Sequence, residues 1–140
     1  MSVQYPGDDN IASHQDYKPS DGWNCAEVFR GKDWRSVPPK DLLKCAIPFL
    51  LPQAFHYYLP TYMLAKLEHP DEADVAGDFI VYSLVPPSDQ IAAASWLKRM
   101  NRLDNAQKTA VRLFLETVAA DQDGIQRDAR EALDKYWNRF

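Results

Sequence analysis

The stretch Phe55-His56-Tyr57-Tyr58-Leu59-Pro60-Thr61-Tyr62-Met63 decides the fold. It lies inside a longer run, Cys45 to Ala65, that carries no charged side chain other than His56. Phe55, Tyr58, Leu59, Tyr62, Met63 and Leu67 recur at helical spacing. The stretch therefore reads as a central, aromatic helix. Pro60 has no N–H to donate to the carbonyl of His56, so a kink is expected there. A membrane span is excluded: Pro48, Pro52 and Pro60 interrupt the run, and Gln53, His56 and the tyrosines add polar atoms. A buried helical hairpin accounts for it better.

On the N-terminal side, residues 1–21 are rich in Gly, Pro, Ser, Asp and Asn and read as a flexible or loosely docked arm. Trp23, Ala26, Val28 and Phe29 predict a short helix that Gly31 can end. Trp34 and Val37 fall in a loop. Ser36 with Pro38-Pro39 marks a helix start, and Leu42, Leu43, Ala46, Ile47 and Leu50 form its apolar face; Pro48 should kink or end that helix, and Pro52 restarts it.

On the C-terminal side, Val75, Phe79, Tyr82 and Leu84 are read as helix. Phe79 to Tyr82 suits a strand, but a lone strand has no partner. Pro86-Pro87 breaks the chain. Ser88 or Asp89 then caps a helix carrying Ile91, Ser95, Trp96, Met100 and Leu103. Asp104 or Asn105 caps another, with Ala106, Ala110, Leu113, Phe114, Thr117 and Val118 on one face. After Gly124, a stripe of Ile125, Ala129, Ala132, Leu133, Tyr136, Trp137 and Phe140 steps along the last helix, with Asp121, Asp123 and Asp128 near its start. The expected fold is all-α: a single compact domain over 22–140, of about six helices around a kinked central helix.

The chain has 140 residues and a net charge of -4, which gives no general pull toward nucleic acid or anionic lipid. Its charge is lopsided. Leu67 to Leu97 holds Glu68, Asp71, Glu72, Asp74, Asp78 and Asp89 with no Lys or Arg, while Lys98, Arg99, Arg102, Lys108 and Arg112 follow against Asp104. Cys25 and Cys45 are read as buried free thiols suited to a reducing cytoplasm. Residues 1–21 show no apolar leader core, which supports a cytoplasmic location.

The chemistry-bearing motifs are absent: no Gly-rich phosphate loop, no nucleophile elbow and no HExxH. His56 is read as a half-buried histidine bonded to a backbone carbonyl. Its alternative role is in a ligand pocket or as a general base with Tyr57 or Tyr58, although it has no carboxylate partner in sequence. The His69-Pro70-Asp71-Glu72-Ala73-Asp74 loop with Asp78 does not fit an EF-hand. It is read as a solvated acidic surface or a docking patch, and no metal or other cofactor is expected. Tyr57 or Tyr58, placed at the rim, would anchor a partner.

The segment from Phe49 to Met63 resembles the signature of an uncharacterised bacterial family, of the form FL-x-PxAFxYYLPxYM. Val28-Phe29, Trp34, Gln107 through Val111 to Phe114-Leu115, and Ala132-Leu133 with Tyr136-Trp137 fit the same family, so the resemblance covers about residues 23–140. It implies a soluble, helical, single-domain bacterial protein and carries no catalytic residues. Small acidic proteins of this kind often serve as immunity proteins, an association and not a derivation.

Three functional expectations follow. The leading one is a non-enzymatic protein-binding module, in its narrow form an immunity protein that neutralises a basic secreted toxin. Asp71, Glu72, Asp74, Asp78, Tyr57 and Tyr58 would contact the partner. The alternative is a small helical enzyme or ligand-binding domain around His56 and Tyr57/Tyr58. The third is a homodimer through the Tyr136, Trp137 and Phe140 stripe. No nucleic-acid or membrane partner is expected.

Overall fold

The computed structural model describes residues 4–121 and 124–140. The described residues form helices and no strand. The helices, in order, are α1 (Asp21–Phe29), η1 (Pro39–Lys44), η2 (Ile47–Phe49), α2 (Pro52–Glu68), α3 (Pro70–Ala73), α4 (Val75–Ser83), α5 (Gln90–Met100), α6 (Asn105–Ala120), α7 (Gln126–Lys135) and η3 (Trp137–Arg139), where η denotes a 3-10 helix. The all-α expectation holds. The chain divides into two compact units, one up to Phe79 and one from Ile80 to Phe140.

In the first unit, α1 begins as its residues dictate. The Ser20 side chain accepts from the Trp23 N–H, and Asp21 occupies the first turn, where a carboxylate is favoured. Gly31, at φ 73, follows the helix end. In the expected arm, Ile11, Ala12 and Gln15 are buried while residues 8–10 and 16–19 are exposed; residues 1–3 and Asp123 lie outside the described residues. Ile11 is fully buried. The Gln15 side chain accepts from the N–H groups of Ile11 and Ala12 and donates to the carbonyl of Asp8. Ser13 N–H donates to Phe49 and Leu51 N–H to Ile11, around an isolated bridge between Ala12 and Leu50. Gly22 is required there, because a Cβ would collide with the carbonyl of Ser13.

The Pro38 to Leu50 region differs from expectation. Instead of one helix, two 3-10 turns form, each with a proline in its first turn. Pro48 and Pro52 leave too few backbone donors for a continuous α-helix. The tighter winding buries Leu42, Cys45, Ile47 and Leu50 and leaves Leu43 and Ala46 exposed. A disulfide joins Cys25 to Cys45, with Cα atoms 4.3 Å apart. This corrects the reading of two free thiols, and the cysteine argument for a reducing compartment goes with it. Packing of α1 against η1 brings together two residues twenty positions apart.

Helix α2 starts on Pro52 and runs through Pro60 to Glu68. Its buried positions (Ala54, Phe55, Tyr57, Tyr58, Leu59, Thr61, Tyr62, Ala65 and Lys66) go around the helix rather than along one stripe. Such all-round burial marks a core element. Among the described residues, no helix is long and apolar enough to cross a membrane.

In the second unit, Asp89 caps α5 through the Ala92 N–H. Asp104 and Gln107 form a reciprocal capping box on α6, which fixes that helix start. The α7 stripe is buried as expected, from Ile125 to Trp137, and α7 packs on α6. Trp96 and Met100 of α5, and Leu103 just beyond it, are buried as expected; the faces of α6 and of α4, which runs across the boundary between the two units, are rotated relative to expectation. Ala76, Ile80, Val81 and Leu84 are buried, while Val75, Phe79 and Tyr82 are exposed. On α6, Val111, Phe114, Leu115 and Val118 face inward, and Leu113 faces out. Ile91 of α5 is 83% exposed.

Candidate functional site

The tyrosines of α2 are built into the first unit rather than displayed on it. Tyr58 is fully buried. Its ring stacks on Phe29 at 4.2 Å, and its hydroxyl lies 2.6 Å from the carbonyl of Lys32 and 2.9 Å from that of Phe29. It therefore caps the carbonyl end of α1, whose last carbonyls lack helical donors. Tyr57 is 5% exposed. Its hydroxyl donates to Asp33 Oδ2 and accepts from the Trp34 N–H, each at 3.3 Å. Neither residue stands at a rim, so the anchor role expected of them gives way to a structural one. Sequence reasoning missed this because it could not see that the Phe29–Trp34 loop lies over both phenols.

The same geometry sets the protonation of the phenols. Burial, the largest influence, pushes the phenols of Tyr58, Tyr57 and Tyr62 above their ordinary value; neighbouring Asp33 adds to the rise at Tyr57 and Tyr58. Such phenols stay protonated and are held as donors or ring contacts. His56 is half-buried on the same helix, and it lines neither of the two grooves described below. Among the described residues, no three His, Cys, Asp or Glu side chains are grouped to hold a metal ion.

The predicted acidic residues divide into two kinds. Asp71, Glu72 and Asp74 are exposed, on α3 and the residue that ends it. Among the described residues, neither Asp71 nor Asp74 enters an ion pair, and Glu72 lies 3.9 Å from His69 Nδ1. Asp74 holds φ 49, ψ -134, a region that a side chain normally avoids. Asp78 is different. Its carboxylate pairs with Lys66 Nζ at 3.3 Å, and Lys66 is only 9% exposed. The Lys66 stem crosses Gly77, where a Cβ would sit 2.6 Å from Lys66 Cδ. Asp78 thus balances a buried cation.

Beside α3 lies a shallow groove of about 260 Å³, whose walls include Trp34, Val37, Leu64, Thr61, Glu68 and His69. Its aromatic wall is fixed in place. The Trp34 carbonyl accepts from the Thr61 hydroxyl at 2.7 Å, its N–H donates to Tyr57, and Arg35 covers its ring at 4.6 Å. Sequence reasoning did not select Trp34 as a site residue. The signal available was a lone tryptophan in a polar loop. The groove ends at His69, and the chain turns directly into the carboxylates of α3. A half-buried indole beside acidic side chains can seat an apolar side chain flanked by cations.

A family described only as one of unknown function, DUF6714, matches residues 12–140. The chain belongs to the DUF6714 family. No curated protein and no solved structure matches it. The DUF6714 match takes in α1 through η3 and the N-terminal segment from Ala12 onward, so it covers both aromatic clusters and the acidic turn.

Proposed function

We propose that this DUF6714 protein is a non-enzymatic protein-binding module that docks a basic partner through Asp71, Glu72 and Asp74. The observation that carries the reading is the exposed acidic turn next to the groove walled by Trp34. Lone carboxylates at a surface steer association more than they hold a complex, so the effect should be salt-sensitive. Asp78 is left out of the docking set, because reversing it would set two cations against each other at Lys66.

The test is a pull-down with tagged protein at low and at about 0.5 M salt, followed by binding kinetics on the captured partner. Asp71→Lys with Glu72→Lys and Asp74→Asn should slow association about tenfold and flatten its salt dependence. Asn is chosen at 74 because it tolerates positive φ. Unchanged kinetics in that variant would reduce the acidic turn to a solvated surface. The narrower form of the proposal is a bacterial immunity protein, and a basic secreted toxin among the captured proteins would support it. The disulfide weighs toward an oxidising compartment over the cytoplasm as the place of encounter.

A further inference from the structure

The first unit carries a second, larger groove of about 510 Å³ that shares no lining residue with the one beside α3. One wall is the outer face of α1, where Asp21, Asn24 and Glu27 recur every three residues and are exposed. Residues at that spacing share a helix face, so the side chains form a ladder of oxygen acceptors about 9 Å long. The other wall is apolar: Leu43 is 44% and Phe79 50% exposed. The floor is Cys45 and Ala46. Lys44 is also present, but Asp41 holds its ammonium at 3.3 Å. The lining thus holds two carboxylates, Asp21 and Glu27, against the one Lys44 ammonium, so the groove is net acidic.

We propose that this groove binds an extended peptide segment of a partner protein, with a large apolar side chain between Leu43 and Phe79 and an Arg or Lys against Asp21 and Glu27. Charge complementarity selects the occupant: an acidic ladder facing an apolar wall disfavours acidic and purely apolar segments alike. The disulfide contributes preorganisation. Cys25 belongs to α1 and Cys45 to the floor, so the acidic wall and the floor are covalently tied before a ligand arrives, which lowers the ordering cost of binding. The site stands independently of the acidic turn on α3 and would survive the failure of that reading.

The probe is a set of fluorescein-labelled nonapeptides with a central leucine or phenylalanine flanked by arginines, titrated by anisotropy into the intact, oxidised protein. Kd values on the order of 10–100 µM are expected for the basic–apolar peptides. At least tenfold weaker binding is expected when glutamates replace the arginines or alanine replaces the central residue. Asp21→Asn with Glu27→Lys should weaken binding about tenfold. Leu43→Ser should do the same, at a site exposed enough to leave the circular dichroism and melting temperature unchanged. Asp71→Lys with Glu72→Lys should leave peptide binding unaltered, which separates this groove from the acidic turn. Absence of saturable binding by every peptide overturns the proposal. So does binding that persists in both groove variants, or that is lost only in the α3 variant.

Discussion

Each unit buries an aromatic cluster, and the two clusters do different work. In the first, Phe29, Tyr57, Tyr58 and Tyr62 meet at ring distances of 4.2 to 6.1 Å. The hydroxyls of Tyr57 and Tyr58 reach into the Phe29–Trp34 loop and hold it down. In the second, Trp96, Tyr136, Trp137 and Phe140 pack mostly edge to face. There the indole N–H groups of Trp96 and Trp137 donate to the carbonyls of Ser83 and Leu84 at 2.8 and 2.7 Å. Those carbonyls lie at the end of α4, and Pro86-Pro87 stops the chain from supplying helical donors. One cluster fixes a loop and so shapes the groove beside α3. The other closes a helix end and makes core. The lesson is that an aromatic-rich motif can serve as fastening, with the recognition surface formed by what it fastens.

The largest expected effect lies in the second cluster, at Trp137. Trp137→Ala removes a fully buried indole and orphans the Leu84 carbonyl. It should cost about 3–5 kcal/mol, read as loss of the near-ultraviolet dichroism and a lower urea midpoint. Partial rescue by Trp137→Phe would separate the packing from the hydrogen bond.

The disulfide belongs to the first unit alone. Cys25→Ser with Cys45→Ser opens a loop of twenty residues and should lower stability by about 3 kcal/mol. Thiol titration of the untreated, unfolded protein should find no free cysteine. Two titratable thiols would return the chain to the sequence-based expectation.

Alkaline pH should also select the first unit. Burial raises the phenol of Tyr58 above its unfolded value of 10.0, with smaller rises from Tyr5, Tyr57 and Asp33; burial alone raises that of Tyr62. The folded state therefore keeps these protons where the unfolded state has lost them. Their contribution is complete below about pH 10 and falls as pH climbs toward the raised folded values. Urea midpoints measured from pH 8 to pH 11 should decline above pH 10. Tyr58→Phe should reduce the decline and cost about 1–2 kcal/mol at pH 7 through the unpaired Lys32 carbonyl.

The smallest effect is expected at Tyr62. Its hydroxyl is buried with no hydrogen-bond partner among the described residues. Tyr62→Phe should leave stability unchanged or raise it by about 1 kcal/mol, measured by the same urea titration. A loss comparable to that of Tyr58→Phe would mean that a hidden acceptor faces Tyr62.

Local rules were legible wherever a residue acts on its own backbone. The proline-led starts of η1 and α2, the caps at Asp89 and Asp104, and the stripe from Ile125 to Trp137 all follow from side-chain chemistry within a few positions. Rotational phase was less legible. On α4 and α6, apolar residues go nearly all round, so several faces fit the same spacing, and the neighbouring elements chose Ile80 over Phe79 and Leu115 over Leu113. The candidate site was legible in part. Asp71, Glu72 and Asp74 are exposed, as a proline-led acidic turn suggests. Asp78 was indistinguishable from them until Lys66, a turn of α2 away from the loop, was found buried against it.

An all-helical chain, its breakpoints, its caps and its lopsided charge were readable along the chain, because these depend on periodicity, proline and composition. Tertiary structure alone decided that the tyrosines face inward, that Cys25 meets Cys45, and that Trp34 and the α1 carboxylates wall grooves. Each of those outcomes joins residues some twenty or more positions apart. Spacing along the chain carries no information about such pairs until helices pack.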